Sequence, residues 1–424
     1  MKRILILLAV LLTCSAALAL AQPRKSDIAV RALMEDPTRA GNNTNSYEFF
    51  PLSDTPAPKG YKPFYISHYG RHGSRSNWGG TSYESLIKTL EAGQAAGLLT
   101  RGGDSLLVAA RAVLANYDGM DGRLSQRGAR EPARIAERMY TRYPGVFKGE
   151  KKLRAMASTV QRCIISMNAF TNSLIRQNTK LDISLDTGEK FMTYINNTDG
   201  WQRITADATA KGRAWAATLP DDTLGVMSRI FTDPQRARSI VSSPRQLTEA
   251  VWNTAIIAED FDIEDNLFRF LPFDAIYRRW AQSNLSLYLG HGNSFEAGAE
   301  RVAMAASCVE DIVTKADEAI ATGRYAADLR FGHDYPITAL VSYLGIEGVG
   351  DRIPVEEVCD RWMGFWNIPM ASNLQMIFYK NKAGDVLVKF LYQEQERLLR
   401  GLEPYQGPYY KWETVKANLE GYKR

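Results

Sequence analysis

The sequence predicts an α/β fold, with a central mixed sheet flanked by helices and a mainly helical cap inserted in the chain. Two observations predict it. Apolar and aromatic runs typical of buried strands occur near both ends of the 424-residue chain, and helical patterns fill the region between them. The apolar fraction of 45% and the charged fraction of 23% are ordinary for a globular protein, so the chain can bury a large core.

The start of the chain predicts a secretory signal peptide over residues 1–21. Residues 2–3 are basic, residues 4–12 are apolar, and residues 19–21 read Ala-Leu-Ala, a small-x-small cleavage site. We therefore expect an exported protein, located in the periplasm, in the medium or at the cell surface. The apolar stretch is short for a membrane anchor, so no stable membrane span is expected. Lipid attachment at Cys14 is an alternative, although the threonine before it fits poorly.

The charge balance excludes a broad class of partner. Without residues 1–21 the chain has 50 Lys+Arg, against 52 in the full sequence, and 47 Asp+Glu, which leaves a net charge of about +3. That charge is too small to indicate nucleic-acid binding. A local positive pocket in a near-neutral protein instead suits a small anionic substrate. The sequence does not determine the oligomeric state.

The three cysteines left after cleavage do not form a disulfide scaffold. Because Cys163, Cys308 and Cys359 are an odd number, at most one bridge can form, and Cys308 with Cys359 is the candidate pair. The chain has four histidines and no Cys-x-x-Cys motif, which leaves little for a zinc site. We expect no metal and no cofactor.

The predicted core comprises residues 22–181 and 321–424. Prolines precede a buried strand at Phe64–Tyr69, and Leu124-Ser125 opens a helix that runs through Tyr143 with Glu131 on its polar side. Further helices are predicted at about 82–97, 103–116 and 160–177, with a short strand near 153–156 and Ser158-Thr159 as the N-cap of the last helix.

Residues 182–320 form the predicted cap, because this region is mostly helical in pattern and has no strong series of strands. Beyond it, Leu329–Phe331 predicts another short strand, and Gly332–Pro336 turns into an apolar helix. The runs at 373–379 and 385–392 are typical of a hairpin.

Arg71-His72-Gly73-Ser74-Arg75 is the most informative segment of the chain. It follows the first predicted strand, and Gly73 permits a tight turn. Two guanidinium groups and one imidazole can then converge on a tetrahedral dianion such as phosphate. The alternative is a solvated basic loop, which the preceding strand and the Arg-x-x-x-Arg spacing make the weaker interpretation.

Two later sites strengthen the prediction of an anion site. His333 and Asp334 stand side by side at a strand-to-helix turn, where backbone amides favour anions. Arg162 is expected in the first turn of a helix, a position where a cation opposes the helix dipole. It is there either as a simple surface residue or because it holds an anion.

These motifs together resemble the histidine acid phosphatase family, branch 2 of the histidine phosphatase superfamily. The resemblance covers about residues 60–392 and rests on Arg71-His72-Gly73-x-Arg75, Ser158-Thr159-x-x-Arg162 and His333-Asp334, in this order. The multiple inositol polyphosphate phosphatase branch is the most similar, through Gly97–Thr100, Leu124–Gly128 leading to Glu131, and Ser158–Cys163 followed by Ser166 and Ala169-Phe170.

The resemblance implies a metal-independent phosphomonoesterase without a cofactor. In that scheme His72 attacks phosphorus and forms a phosphohistidine, and Asp334 protonates the leaving alkoxide and then activates water. The phosphoryl oxygens would be held by Arg71, Arg75, Arg162 and His333. The sequence departs from the pattern of the family at two places. Asn77 replaces a proline, so we expect an altered rim, and His333-Asp334 stands where inositol polyphosphate phosphatases often carry His-Ala-Glu.

The favoured substrate is therefore a polyphosphorylated inositol such as phytate, with broad acid phosphatase activity as the alternative. A small phosphorylated metabolite stays open as a substrate, and a mutase is less expected because an exported enzyme meets water as acceptor. A non-catalytic binder of phosphate esters is the rival from another class, but it would not need both His72 and Asp334. Packing or structural roles are expected for His68, Arg154 and Trp78, and a loop position for His291. The alternatives are contact of His68 with the site, Trp78 at its entrance and His291 at its rim.

Overall fold

An eight-stranded mixed sheet organises the chain. The computed structural model describes residues 25–77, 81–198 and 201–421, so the predicted signal peptide, Cys14 and Trp78 lie outside the described residues. The strands are Lys62–Arg71 (β1), Lys151–Ala157 (β2), Leu181–Thr187 (β3), Tyr325–Gly332 (β4), Asn373–Lys380 (β5), Val386–Tyr392 (β6), Gln395–Arg397 (β7) and Tyr409–Lys411 (β8).

The strand order brings the carboxyl ends of three strands to one edge. Along the sheet the order is β3-β2-β4-β1-β5-β6-β7, with β8 paired to β6. The pairs β3/β2, β2/β4 and β4/β1 are parallel, whereas β1/β5 and β5/β6 are antiparallel. Arg71 is in register with Gly332, and Ala157 with Phe331, so the segments that follow β1, β2 and β4 leave the sheet together. Ligands bind at such an edge in open α/β sheets.

Seventeen α-helices occur among the described residues. Their bounds are Asp27–Glu35 (α1), Thr81–Ala95 (α2), Arg101–Tyr117 (α3), Gln126–Arg142 (α4), Pro144–Phe147 (α5), Gln161–Gln177 (α6), Glu189–Ile195 (α7), Trp201–Ala216 (α8), Gly225–Ile230 (α9), Pro244–Ala258 (α10), Phe273–His291 (α11), Gly298–Ala303 (α12), Ala306–Thr322 (α13), Asp334–Tyr343 (α14), Val358–Arg361 (α15), Gly364–Asn367 (α16) and Trp412–Gly421 (α17). Short 3₁₀ helices occupy Pro37–Thr44, Arg236–Ser239, Glu259–Phe261, Leu267–Phe270 and Val355–Glu357.

Helices cover both faces of the sheet. On one face α4 and α6 pack apolar side chains such as Ile135 and Phe170 against Ile66 and Leu329. On the other face α13, α14 and α17 contribute residues such as Ile312 and Trp412 to a core shared with β1, β5 and β6. Burial on both faces agrees with the apolar and aromatic run at Phe64–Tyr69 that predicted β1. The predicted α/β class and the hairpin of β5 and β6 are confirmed.

A third core lies among helices alone. It joins α10 and α11 with α2 and α3, which lie far earlier in the chain. None of the helices in the described part of the chain combines the length and apolar character that a membrane crossing needs.

Three local expectations are wrong. Leu181–Thr187 forms β3 at the edge of the core sheet, although residues 182–320 were expected to be a mostly helical cap without a strong series of strands. Ser158 does not cap α6, whose N-cap residue is Val160 without a side-chain bond. Cys308 and Cys359 are both free and buried, as is Cys163, so the candidate disulfide does not form.

Candidate active site

The turn after β1 packs directly against the first turn of α4, because neither Gly73 nor Gly128 has a side chain. A Cβ placed on Gly73 would lie 2.0 Å from the carbonyl oxygen of Gly128, and one on Gly128 would lie 1.9 Å from that of Ser74. Any side chain at either position would force the turn away from α4. The close approach of these two backbones therefore fixes the backbone position of His72.

Glu131 holds the same turn by hydrogen bonds. Its carboxylate accepts from the Ser74 backbone N–H at 2.7 Å, from the Ser74 hydroxyl at 2.8 Å and from the Tyr47 N–H at 3.1 Å. Burial raises the pKa of Glu131, and these donors act against that rise. The expectation that Glu131 lies on the polar side of its helix is wrong. Glu131 lies three residues after Gly128 and four before Ile135, so it is on the buried face of α4. This helical spacing was the signal in the sequence that could have placed it there.

Within the part of the chain that the structure describes, one ring nitrogen of His72 has no hydrogen-bond partner. Its Nδ1 lies 2.9 Å from the carbonyl oxygen of Gly73. Because a carbonyl only accepts, Nδ1 carries the proton and Nε2 keeps its lone pair. Burial, together with the charges of Arg71, Arg162 and Arg75, holds the pKa of His72 well below its ordinary value. The ring is therefore neutral at neutral pH, which is the form a nucleophile requires.

Asp334 begins α14 directly after β4. Its Oδ2 accepts from Arg71 Nη2 at 3.1 Å and from Asn43 Nδ2 at 2.8 Å. Burial alone would raise the pKa of Asp334. The charge of Arg71 and the hydrogen bond from Asn43 outweigh burial and hold the pKa of Asp334 well below its usual range. In the resting protein the carboxyl group is therefore ionised.

Arg162 and His333 contact each other beside the ring of His72. Arg162 Nη2 lies 3.3 Å from His333 Nδ1, and His333 Nε2 lies 3.0 Å from the hydroxyl of Ser158. A guanidinium only donates, so Nδ1 accepts and Nε2 donates to Ser158. Burial, with the charge of Arg162, lowers the pKa of His333 to about 3. The rings of His72 and His333 meet edge to face, with centroids 5.5 Å apart.

The structure brings together all six residues that the sequence singled out. The Arg75 guanidinium donates to the Ser76 carbonyl at 2.8 Å, and burial with the charges of Arg71 and Arg162 lowers the pKa of Arg75 to about 10. With both histidines neutral, three arginines and the single carboxylate of Asp334 leave a net positive charge among the six residues. Such a cluster favours a dianion. Across residues 25–77, 81–198 and 201–421, no group of three or more His, Cys, Asp or Glu side chains is placed to hold a metal ion.

Of the remaining candidates, His68 and Arg154 lie in structural surroundings, whereas His291 lies beside Tyr335, the residue that follows Asp334. His68 is buried between the rings of Phe170 and Phe331 at 4.9 and 5.3 Å, and Arg154 pairs with Asp328 at 2.6 Å, so both are structural as expected. His291 ends α11 and is buried rather than exposed in a loop, with its ring 5.8 Å from that of Tyr335.

The rim at Asn77 is held by its backbone. The Asn77 carbonyl accepts from the Gly122 N–H at 3.0 Å and from the Tyr117 hydroxyl at 2.9 Å. Where the family has a proline, hydrogen bonds from the α3 end and from the loop before α4 thus fix this position.

Comparison with known families decides the assignment. A model of the histidine phosphatase superfamily (branch 2) matches residues 70–393, which is most of the chain. The chain belongs to branch 2 of the histidine phosphatase superfamily. This membership supports a phosphatase and confirms the enzyme class expected from the sequence.

Solved structures show the same fold. The multiple inositol polyphosphate phosphatase of Bifidobacterium longum, in its complex with inositol hexasulfate, is similar with a TM-score of 0.71 at 18% identity, over 90% of this chain and 97% of that chain. The phytase from D. castellii is similar with a TM-score of 0.64 at 12% identity, over 91% of this chain and 85% of that one. No curated protein matches the chain.

The hydrogen bonds that Glu131 makes to the turn after β1 give a first testable expectation. In Glu131→Gln, an amide N–H replaces one acceptor and opposes the donors of Ser74. We expect the free energy of unfolding to fall by about 1–3 kcal/mol. We also expect phosphate release to slow about tenfold, because the turn that carries His72 is displaced.

Urea unfolding and the rate on an aryl phosphate measure the two effects. Glu137→Gln is the matched control, since Glu137 is exposed on the same helix. A Glu131→Gln variant with a normal rate but lower stability would reduce Glu131 to a residue that only stabilises the fold.

Proposed function

We propose that this protein is an exported, metal-independent phosphomonoesterase that forms a phosphohistidine at His72 and acts on inositol polyphosphates such as phytate. One observation carries the proposal. A neutral imidazole with a free Nε2 lies in a cluster of three guanidinium groups beside one carboxyl group. A nucleophile, charge for a phosphoryl group and a proton donor are the parts that hydrolysis of a phosphate ester requires.

In the first displacement the phosphoryl oxygens bind Arg71, Arg75 and Arg162. The bound dianion offsets the cations that hold the pKa of Asp334 down, so this carboxyl group takes up a proton. His72 Nε2 forms a bond to phosphorus while the ester P–O bond breaks, and Asp334 gives its proton to the leaving alkoxide. The alcohol departs, leaving a phosphohistidine and an ionised Asp334.

In the second displacement water attacks phosphorus and the P–N bond breaks. Asp334 accepts a proton from this water, which releases inorganic phosphate and restores neutral His72. In the resting state both ring nitrogens of His333 already have partners. Its predicted contact with a phosphoryl oxygen requires a proton at Nδ1, which a bound dianion favours.

The three arginines support a mechanism without a metal, because they supply positive charge at the transferring group. The inositol polyphosphate substrate is supported by the sequence motifs of that branch and by the fold shared with the Bifidobacterium longum enzyme. Broad acid phosphatase activity is the second candidate, favoured by Asp334 directly after His333. Export rests on the pattern of residues 1–21.

Phosphate release in the presence of EDTA tests the proposal. We expect release from both phytate and p-nitrophenyl phosphate, with a higher kcat/KM for phytate, and separation of the inositol phosphates gives the order of removal. Equal or higher kcat/KM for simple esters would favour the broad acid phosphatase. A folded protein that binds phosphate and releases none would be a binding protein.

A further inference from the structure

The chain before β1 reaches the candidate site. The N-terminal segment, residues 36–48, precedes the part matched by the superfamily model, which begins at residue 70. The Ser46 hydroxyl lies 3.1 Å from that of Ser74, and the Tyr47 N–H donates to Glu131. The carbonyl of Asn45 accepts from the Met370 N–H at 2.9 Å. The segment is thus joined to the same turn that carries His72.

Asn43 is the member of this segment that contacts the proton donor. Its Nδ2 donates to Asp334 Oδ2 at 2.8 Å, and its carbonyl accepts from Arg71 Nη1 at 2.5 Å. Arg71 Nη1 also donates to the Ile368 carbonyl at 2.8 Å, and Arg71 Nη2 reaches Asp334 Oδ2 at 3.1 Å. Asn43 therefore holds both members of the Arg71–Asp334 ion pair. Its backbone carbonyl binds Arg71, and its side chain binds Asp334.

The backbone before Asn43 is held in an unusual conformation. Asn42 has φ 52° and ψ −115°, which side-chain-bearing residues rarely adopt. It is fully buried, and its Nδ2 donates to the Trp280 carbonyl on α11 at 3.0 Å. Strained backbone persists where surrounding contacts hold it, and such sites cluster near functional groups. Here the kink turns the side chain of Asn43 toward Asp334.

We propose that Asn43 is a positioning residue for Asp334 and that the N-terminal segment completes the active site. The proposal rests on the proposed role of Asp334 as the acid. Among the described residues, Oδ2 receives two donors, from Arg71 and Asn43, whereas Oδ1 receives only the Tyr335 N–H at 3.0 Å. A proton taken up by the carboxyl group therefore goes to Oδ1, the oxygen with fewer donors, and Asn43 determines which oxygen faces the leaving group.

Removing this donor changes the acid in a predictable direction. A hydrogen bond to the ionised form lowers the pKa of a carboxyl group, so its loss raises the pKa of Asp334. The other titratable groups that act on Asp334, or on which Asp334 acts, stay in place: Arg71, Arg75, His72, Arg162, Cys163, His291, His333 and Tyr335. The basic limb of the kcat profile, which reports the protonated acid in the bound state, moves to higher pH.

Asn43→Ala tests the proposal on two substrates. We expect kcat to fall about tenfold for an alkyl phosphate, which needs an oriented acid, and less than twofold for p-nitrophenyl phosphate, whose leaving group departs without a proton. Asn43→Asp keeps the size of the side chain but places a second carboxylate against Asp334. Repulsion between the two carboxylates raises the pKa of Asp334 further, so the basic limb of the kcat profile moves to a still higher pH. Thermal unfolding checks folding, and Asn43→Asp carries the test if Asn43→Ala does not fold.

Asn116→Ala is the matched control, because Asn116 is exposed on α3 and donates to the Ala112 carbonyl of its own helix. Equal losses on both substrates, or an unchanged pH profile, would overturn the proposal and make Asn43 a structural residue. The comparison with Asp334→Asn separates the two claims. If that variant shows the leaving-group effect and the Asn43 variants do not, only this inference fails. If Asp334→Asn lacks the effect, the proposed acid role fails first.

Discussion

His72→Ala is expected to abolish phosphate release, by roughly 10⁴-fold or more, while the protein stays folded. The expectation follows from the position of the ring. Nε2 is the nitrogen left after the Nδ1 bond to Gly73, and burial and neighbouring cations keep the ring neutral. Both nitrogens of His333, whose ring contacts that of His72, have partners. Initial rates on an aryl phosphate, with circular dichroism to confirm folding, measure the effect.

The phosphohistidine itself gives the decisive control. A rapid quench of the wild-type protein with a radiolabelled phosphate ester should trap label on a peptide that contains His72. His68→Phe should still be labelled, because His68 packs between two phenylalanine rings inside the sheet. Label on another residue, or full activity in His72→Ala, would exclude the proposed nucleophile. Absence of label together with full turnover would indicate direct attack by water.

Asp334→Asn should separate substrates by their leaving groups. An alkoxide needs a proton as the P–O bond breaks, so we expect a loss of about 10²–10⁴-fold on an alkyl phosphate. A nitrophenolate leaves without protonation, and the loss on p-nitrophenyl phosphate should be far smaller. Rates on both esters at matched pH, with burst kinetics to resolve dephosphorylation, test this expectation.

The substitution also removes the ionic partner of Arg71, so its binding effect needs a control. An amide keeps the shape of Asp334, while Arg71 loses a buried ion-pair partner whose exposed fraction is only 16%. Inorganic phosphate inhibition measures whether the arginines still bind a dianion. Equal losses on the two esters, with phosphate affinity unchanged, would argue that Asp334 is not the acid.

Local sequence was informative wherever chemistry and chain direction coincide. Arg71–Arg75, Arg162 and His333-Asp334 each follow a strand of the parallel part of the sheet, and such strands end at one edge. The prediction that side chains 261 positions apart share a cavity could therefore be made from the order of strands and turns, and the rings of His72 and His333 are in contact.

Residues that depend on long-range packing were missed. Glu131 looked solvent-facing because its neighbours on α4 are charged, and only the contact of Gly73 with Gly128 shows why a carboxylate must be buried there. Residues 181–187 contain charged side chains typical of an exposed segment, and their role as a sheet edge depends on pairing with β2. Asn43 carries no local signal at all, since its partner lies 291 positions away.

The amino-acid sequence by itself determined the fold class, the superfamily and the six residues of the candidate site, because strand patterns and short motifs are properties of neighbouring residues. Only the tertiary structure decided their charge states and supports. The pKa of His72 and that of Asp334 depend on burial and on cations from distant strands and helices, and the hydrogen bonds of Asn43 and Glu131 exist only once those segments pack together.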